Sequence, residues 1–465
     1  MSDPVQRSLA DTVHTPFWSD RPDAPEPGAP LAGEVEADLV VVGGGFTGLW
    51  ACLLAISEDP TATVVLLESD RIGHGGTGRN GGFLSASLTH GLAHGAARWP
   101  AEMPLLLALG RANLAEIIAT AAAEGIDASI EVSGKSVVAT TDVAARALPG
   151  LLALHQQWGE QAELWDAAGA RADVASPTYR GALRVRTGSA LMNPARLAWG
   201  LAAAARRRGV RIHEGTRAVS VTRTPTGVRV SARGGAVTAR RALLATGAYD
   251  PLLRRLRAWV LPVYDHVLVT EPLTADQRTA LGWHDRQGIT DVGNQFHYYR
   301  LTEDDRILWG GYDAIYYWGN QTDASREHRD ASHQLLARQF FETFPMLTGM
   351  RFTHKWAGLI DTTSRFTPVF GTALGGRLAY AVGYTGLGTG AARFGAQVAL
   401  DLLAGAATER TRLRMVRSRP VPFPPEPLRS AVVWLTRAEL AREDRTGRRG
   451  PWLGMLDRLG VGFTS

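Results

Sequence analysis

Residues 37–48 read ADLVVVGGGFTG, a short β-branched run that ends in three consecutive glycines. An apolar stretch follows to Ile56, and a second β-branched run covers residues 64–67. A strand that turns through glycines into a helix and returns as a second strand is a βαβ unit. The segment therefore predicts an α/β fold.

The glycines at this turn, Gly43, Gly45 and Gly48, have the spacing GxGxxG. Without side chains the backbone can approach a pyrophosphate, and the amides at the start of the helix face its charge. Glu68 follows Gly48 by 20 residues, at the end of the second strand, where a carboxylate would accept hydrogen bonds from a ribose. The pattern predicts a dinucleotide site. The open alternative is a turn that serves only close packing, with Glu68 as a solvated strand end.

A second glycine-rich segment favours a flavin over a nicotinamide cofactor. Residues 73–82 read GHGGTGRNGG, where the pyrophosphate and ring edge of an extended flavin would pass. Residues 243–248 (LLATGA) and 383–388 (GYTGLG) add two further turns. The last turn opens a helix whose first amides would stabilise negative charge on a reduced flavin.

The composition is that of a globular protein with two domains: 465 residues, 45% hydrophobic and 20% charged. The net charge of +5 comes almost wholly from arginine, and no nucleic-acid-binding motif accompanies it, so no nucleic acid partner is expected. A single cysteine, Cys52, excludes a disulfide framework and favours the cytoplasm. Signatures of metal hydrolysis and acyl transfer (HExxH, paired CxxC, GxSxG) are missing, so no metal is expected. No stable membrane insertion is expected, and the oligomeric state stays open.

The chain is predicted to leave the nucleotide-binding layer twice. A helix capped by Asn193 and Pro194 and ended by Gly209 marks the return to that layer. The predicted organisation is an N-terminal arm (1–36), a flavin-binding domain (37–94, 181–256 and 366–416), a substrate domain (95–180 and 257–365) and a basic C-terminal tail (417–465). A short helix within the tail, over residues 431–440, is expected to pack on the body of the protein.

The sequence resembles the D-amino-acid oxidase-like (DAO) superfamily of FAD-dependent amine oxidoreductases, and within it the gamma-glutamylputrescine oxidoreductase-like group. The resemblance covers roughly residues 17–403 and is carried by residues 37–48, 77–82 (TGRNGG), 356–361 (WAGLID) and 383–388. It implies a Rossmann-type FAD-binding domain (GR2-like) with an inserted α+β substrate domain that bears an antiparallel sheet. It also implies oxidation of a C–N bond.

The resemblance and the glycine motifs together give a set of expected FAD contacts. They are Gly43, Gly45, Phe46, Thr47, Gly48, Glu68, Thr77, Gly78, Arg79, Asn80, Gly81, Gly82, Val219, Thr246, Gly247, Gly358, Gly383, Thr385, Gly386, Leu387, Gly388 and Thr389. Some relatives link the flavin covalently through a histidine or cysteine, but Arg79 stands at the histidine position and no cysteine lies near residue 356. Non-covalent FAD is therefore expected. Only Lys355 lies near a family motif as an aid to oxygen reduction, so the electron acceptor, oxygen or another, stays open.

The expected substrate is a small-molecule amine beneath an aromatic roof. His297, Tyr299, Arg300, Tyr312 and Trp356 are the expected substrate contacts, because aromatic rings attract an ammonium and an arginine or histidine pairs with an acidic group. Each of them has the core as its alternative location. His266 or a bound water is the expected base, with Tyr384 and Arg79 as the other catalytic candidates.

The predicted reaction is hydride transfer from the carbon beside a neutral amine to the flavin N5. The imine so formed hydrolyses to an aldehyde or keto acid plus ammonia or an amine. Two alternatives stay open: a flavin monooxygenase (hydroxylase), which would usually carry a Gly-Asp pair that residues 383–388 lack, and a non-catalytic FAD-binding partner protein.

Overall fold

The computed structural model describes residues 3–249 and 251–462, which form two large β-sheets with helices packed on them. The helices are α1 (Pro4–Leu9), α2 (Phe46–Glu58), α3 (Leu92–Arg98), α4 (Met103–Ala123), α5 (Asp142–Gln157), α6 (Ala167–Asp173), α7 (Pro194–Arg207), α8 (Ala275–Leu281), α9 (Asp330–Thr343), α10 (Gly388–Ala404), α11 (Glu409–Arg412), α12 (Arg414–Arg417), α13 (Leu428–Thr446) and α14 (Pro451–Arg458). The strands are β1 (Gly33–Val42), β2 (Val64–Leu67), β3 (Phe83–Ser85), β4 (Lys135–Ala139), β5 (Ala162–Asp166), β6 (Gly181–Val185), β7 (Ser189–Leu191), β8 (Arg211–His213), β9 (Ala218–Arg223), β10 (Val228–Ala232), β11 (Gly235–Leu244), β12 (Leu261–Thr270), β13 (Gly288–Asp291), β14 (His297–Leu301), β15 (Ile307–Gly311), β16 (Phe352–Thr362), β17 (Val369–Ala373) and β18 (Leu378–Val382).

The first sheet has the order β17-β18-β11-β1-β2-β8, with β10 and β9 attached beyond β11, and contains the predicted βαβ unit. β1 runs parallel to both β2 and β11, so that Val42 lies opposite Leu67 and Leu244. All four residues of β2 are buried, as in parallel sheets covered on both faces. The predicted Rossmann-type domain is confirmed.

Two glycines let α2 begin close to the end of β1. A Cβ at Gly48 would lie 1.9 Å from the Gly43 carbonyl oxygen, so any larger residue would separate helix and strand. Gly43 has a φ of +112°, and a Cβ there would lie 2.4 Å from the Ala245 carbonyl oxygen. The first and third glycines of the motif are therefore required by the packing of the turn.

The second sheet has the order β16-β12-β15-β14-β13-β4-β6-β5 and is antiparallel except for the pair β13 and β4. Its outer face packs under α9, with Tyr299, Trp309 and Phe340 in a shared core. Its inner face is turned toward the first sheet. The predicted antiparallel sheet is confirmed.

Strand β6 and helix α4 belong to different sheets from the ones that the predicted domain boundaries give them. β6 pairs with β4 and β5 in the second sheet, although residues 181–256 were expected in the flavin-binding domain. α4 was expected in the substrate domain, but it packs against α10 in the core of the first sheet, where Ile117 is fully buried. Local sequence patterns identify a strand or helix, whereas its partners are distant in the chain.

Helix α4 and the turn before it, residues 100–123, are also long and apolar enough to cross a membrane by length and composition. Ile117 and Leu114 of this helix are buried in the core.

The described parts of the N-terminal arm and of the C-terminal tail both pack on the body of the protein. In the N-terminal arm, which ends where β1 begins at Gly33 and not at residue 36, α1 contacts α9 and the Trp18 indole donates to the Asn80 carbonyl oxygen at 2.7 Å. At the C-terminus, the predicted helix 431–440 lies within α13. The Asp444 carboxylate accepts from the backbone N–H groups of Asn294 and Gln295, each at 2.9 Å.

Candidate functional site

One cavity of about 1810 Å³ lies between the two sheets. Its walls include the turn at residues 43–47, the segment 74–81, the loop 384–389 and the inner face of the second sheet, and α13 and α14 line a further side. Sites for a single small molecule usually measure ~300–1,000 Å³. The cavity therefore has room for an extended cofactor together with a second ligand.

A main-chain cradle forms one end of this cavity, at the turn between β1 and α2. The Glu68 carboxylate lines the cavity at the end of β2, as predicted, and accepts from the Gly44 N–H at 2.6 Å. The Thr77 hydroxyl accepts from the Phe46 N–H at 3.1 Å and so couples the second glycine segment to α2.

The cradle also contains a polar atom that lacks a partner. The Thr246 hydroxyl lines the cavity after β11 and is buried without a hydrogen bond to any residue in the ranges 3–249 and 251–462. Such a group calls for a ligand or a water. The bare glycine backbone and this hydroxyl fit the polar groups of a dinucleotide.

The loop 383–389 is fastened to β16 of the second sheet and to α2. Asp361, at the end of β16, accepts from the N–H groups of Gly383 at 2.6 Å and Tyr384 at 3.1 Å, and burial raises the pKa of Asp361 to about 6. The Thr47 hydroxyl is 2.9 Å from the Tyr384 hydroxyl, which joins the loop to α2. α10 begins at Gly388, so its first amides lie at the cavity wall. Asp361 was not among the predicted site residues, although it ends the WAGLID motif.

Arg79 reaches the cavity, but its guanidinium is paired with groups of the protein. Its guanidinium donates to the carbonyl oxygens of His74 at 2.8 Å and Ala357 at 3.1 Å, and it forms an ion pair with Glu327. Only 8% of the residue is exposed. This arrangement fixes the glycine segment against β16.

Two predicted substrate contacts, Trp356 and Arg300, lie outside the cavity, behind the glycine segment. The Trp356 indole donates to the Arg79 carbonyl oxygen at 2.9 Å. Arg300 donates to the Met192 carbonyl oxygen at 2.8 Å, and burial lowers its pKa to about 10. In the structure both side chains support the glycine segment 74–81 from behind.

Three further predicted residues lie on the outer face of the second sheet. His266 is fully buried beside His333, and burial lowers the pKa of His266 to about 4. Tyr299 packs in the core under α9, and the His297 ring is held by Asp291 at 2.6 Å. Side chains alternate between the faces of a strand, so a location on the outer face separates these residues from the cavity. The prediction of His266 as the base placed it on the wrong face.

Asp265 and Tyr298, the residues next to His266 and Tyr299 in sequence, form a polar pair on the inner face of the second sheet instead. Both line the cavity, and the Tyr298 hydroxyl donates to the Asp265 carboxylate at 2.5 Å. Burial raises the pKa of Asp265 to about 6 and that of Tyr298 well above its usual value. Space for the tyrosine ring comes from Gly81 and Gly310, where a Cβ would lie 2.6 Å from it. Asp265 and Tyr298 were not predicted from the sequence. The signal that could have found them is the alternation of side chains between the two faces of β12 and β14, and the two glycines are a further indication.

The cavity brings together most of the predicted cofactor residues. Those that line it are Gly43, Gly45, Phe46, Thr47, Glu68, Thr77, Arg79, Asn80, Gly81, Thr246, Gly247, Gly358, Thr385, Gly386, Leu387, Gly388 and Thr389, with Tyr384 and Tyr312 from the catalytic and substrate sets. Those that lie outside its lining are Gly48, Gly78, Gly82, Val219 and Gly383. Four of these are glycines in the turns that shape the wall. Val219 is an exposed residue of β9, whose preceding residues, Arg217 and Ala218, reach the cavity.

Comparison with known proteins identifies the family of this chain. The sequence model of the family described as FAD dependent oxidoreductase (DAO) matches residues 38–402. Gamma-glutamylputrescine oxidoreductase of Escherichia coli (strain K12) is 31% identical over 377 residues, which cover 80% of this chain and 85% of that protein. The resemblance found in the sequence is confirmed.

Solved structures share the fold at low sequence identity. Glycine oxidase from Geobacillus kaustophilus has a TM-score of 0.67 at 19% identity and covers 83% of this chain and 99% of that one. Iminodiacetate oxidase from Chelativorans sp. BNC1 also has a TM-score of 0.67, at 16% identity, over 82% of this chain and 98% of that one. These similarities concern the fold alone.

Proposed function

Because this chain belongs to the family of FAD-dependent oxidoreductases, we propose that it oxidises the C–N bond of an amine or amino-acid-like substrate in the cavity between its sheets. One observation carries the proposal: a single cavity joins the glycine cradle of the first sheet to the Asp265–Tyr298 pair of the second. The E. coli relative named for gamma-glutamylputrescine supports the substrate class.

In this proposal the cradle, the glycine segment and the loop 384–389 hold FAD without a covalent bond. Bound FAD supplies the acceptor for the two electrons that leave the substrate. Cys52 is buried within α2, and burial raises the pKa of its thiol, so the thiol is unreactive. Denaturation in acid should release all of the yellow colour from the protein.

Asp265 is the proposed catalytic residue for the amine. A carboxylate in a buried cavity attracts an ammonium, and a pKa near 6 leaves it ionised at neutral pH. Oxidation next to nitrogen needs the neutral amine, because an ammonium has no lone pair to donate. Asp265 therefore both holds the amine and accepts its proton, while the Tyr298 hydroxyl orients the carboxylate.

The far part of the cavity suits an elongated substrate. Val432, Val433, Thr436 and Leu440 lie on one side of α13 and line the cavity. Arg429 and Arg437 line it too, while they donate to Asn320 at 2.8 Å and to Asp313 at 2.9 Å. An amine joined through methylene groups to an acidic end would match a lining that combines a carboxylate, apolar side chains and arginines. Gamma-glutamylputrescine, after which the E. coli relative is named, has this build, and we place the substrate in the same class.

An anaerobic titration of the FAD-loaded protein tests the proposal. The amine panel contains gamma-glutamylputrescine, putrescine, glycine and proline, and the oxidised-flavin absorbance is followed after each addition. Bleaching by a member of the panel supports the proposal. If dithionite bleaches the flavin and no amine does, the proposal is wrong and the FAD is not used for amine oxidation.

The same sample identifies the electron acceptor when air is readmitted. A lysine beside the flavin is the expected aid to oxygen reduction. Lys355 forms an ion pair with Asp330 at 3.4 Å and lies outside the cavity lining. Lys135 lines the cavity, and burial lowers its pKa. Fast recovery of colour indicates oxygen as the acceptor, and slow recovery indicates another acceptor.

A further inference from the structure

Three side chains that the amine chemistry does not use meet at the outer face of the second sheet. One ligand atom from each of His14, Asp330 and His333 lies within 4.8 Å of the other two. His14 belongs to the N-terminal arm, and Asp330 and His333 occupy the first and fourth positions of α9. Residues at this spacing share one side of a helix, so α9 presents both groups to the arm.

Hydrogen bonding leaves a free lone pair on His333, and in the part of the chain that the structure describes one ring nitrogen of His14 has no hydrogen-bond partner. The His333 Nε2 lies 3.3 Å from the Trp356 carbonyl oxygen, so Nε2 carries the proton and Nδ1 carries the lone pair. This Nδ1 and the His14 Nε2 are buried, and neither has a hydrogen-bond partner within residues 3–249 and 251–462. His333 is fully buried, so its unpaired nitrogen has little access to water.

The surroundings of the three side chains include one group that favours a metal ion and one that opposes it. The backbone carbonyl on His333 Nε2 is a typical outer partner of a metal-binding imidazole. One feature opposes a cation: the Lys355 ammonium lies 3.4 Å from the Asp330 carboxylate.

We propose that His14, Asp330 and His333 bind one divalent transition-metal ion, with Zn²⁺ as the first candidate, and that the ion fastens the N-terminal arm to α9. Two imidazoles and a carboxylate are a usual zinc donor set that leaves a fourth position for water. Bonds of about 2.0–2.2 Å would draw the ligand atoms closer than they lie in the metal-free arrangement. The exposed Asp330 and the half-buried His14 would have to make this movement, and Asp330 would do so from its ion pair with Lys355. The absence of metal motifs in the sequence is consistent with this site, because His14 and α9 are far apart in the chain.

Zinc titration of the chelator-treated, FAD-loaded protein tests this site independently of enzyme activity. We expect one Zn²⁺ per chain by calorimetry, and at least tenfold weaker binding in His14→Gln and Asp330→Asn. His284→Gln, a change at an exposed histidine elsewhere, should bind zinc like the wild type. Lys355→Gln should bind several-fold more tightly, because it removes the opposing charge.

A second measurement reports on the arm. Zinc should slow tryptic cleavage after Arg7, an exposed residue of the arm that is followed by Ser8, in the wild type and in His284→Gln, and leave the rate unchanged in His14→Gln. The proposal is wrong if the wild type binds no zinc, or if His14→Gln and Asp330→Asn bind it as tightly as the wild type.

Discussion

The cavity has two halves that are built in different ways. On the side of the first sheet, glycine turns, backbone amides and the hydroxyls of Thr77 and Thr246 form the wall. On the side of the second sheet, the wall consists of side chains, chiefly Asp265, Tyr298 and one side of α13. A main-chain wall recognises a ligand shared by a whole family, whereas a side-chain wall changes with single substitutions. Cofactor binding and substrate choice should therefore respond to different mutations.

The largest effect is expected in the main-chain half. Gly48→Val would place a Cβ where only 1.9 Å separates it from the Gly43 carbonyl oxygen, so α2 has to move and the cradle is lost. We expect little soluble protein and no bound FAD, measured as flavin per chain. Gly150→Ala in α5, where a Cβ meets nothing within 4 Å, is the matched control and should bind FAD fully. A Gly48→Val protein with normal flavin content would refute the packing role of this glycine.

Asp265→Asn should give the reverse result, with normal FAD content and a large loss of chemistry. Asparagine keeps the shape and still accepts from the Tyr298 hydroxyl, but it neither attracts the ammonium nor accepts its proton. We expect the rate of anaerobic bleaching by an amine to fall by ~100-fold or more, measured by stopped flow.

The same variant should be more stable at neutral pH. Burial raises the pKa of Asp265 from 3.8 to about 6, so the folded protein binds this proton more tightly than the unfolded chain. The contribution of Asp265 to stability therefore falls as the pH rises from 3.8 to about 6, and the uncharged asparagine of the variant avoids this loss. We expect a higher Tm than wild type at pH 7. A fall in both Tm and rate would instead indicate general damage to the fold.

Tyr298→Phe should have an intermediate effect. The Tyr298 hydroxyl stabilises the ionised form of Asp265, so its removal raises the pKa of Asp265 further. The bleaching rate at pH 7 should fall about tenfold and recover in part at higher pH. An unchanged pH profile would show that the hydroxyl does not control the carboxylate.

Val432→Trp tests the side wall with a more selective effect. A large ring on this side of α13 fills the far part of the cavity, so the KM for long amines should rise about tenfold while short amines are unaffected. Trp434→Ala, at a position of α13 that is 70% exposed, is the matched control. Equal effects on long and short amines would place the substrate elsewhere.

The smallest effect on activity is expected for His266→Gln. Because His266 lies on the outer face of the second sheet, its loss should lower the Tm but leave the pH profile of bleaching unchanged. Loss of an inflection from that profile would show that His266 takes part in the reaction.

The sequence predicted most of the main-chain half, because its signals are local. The glycine spacing after β1, the acid after β2 and the cap at Asn193 each act within a few residues, and the Asn193 side chain does accept from the Arg196 N–H at 3.1 Å. The Rossmann-type fold and the family followed from these motifs.

The side-chain half could not be predicted in the same way. A shift of one residue along a strand moves a side chain to the other face, and this separates Asp265 from His266 and Tyr298 from Tyr299. The register depends on pairing between β12, β14, β15 and β16, which are distant in sequence. The periodic apolar residues of α13 indicated a packed helix, but the sequence contained no sign that this side faces a cavity.

The most direct test is the pH dependence of flavin bleaching by the best amine, measured without oxygen in the wild type and in Asp265→Asn, both loaded with FAD. We predict a wild-type rate that rises with pH through about 6, the pKa of Asp265, and a slow variant that lacks this rise. The same rate and the same profile in both proteins would contradict the assignment of the amine to the Asp265–Tyr298 pair.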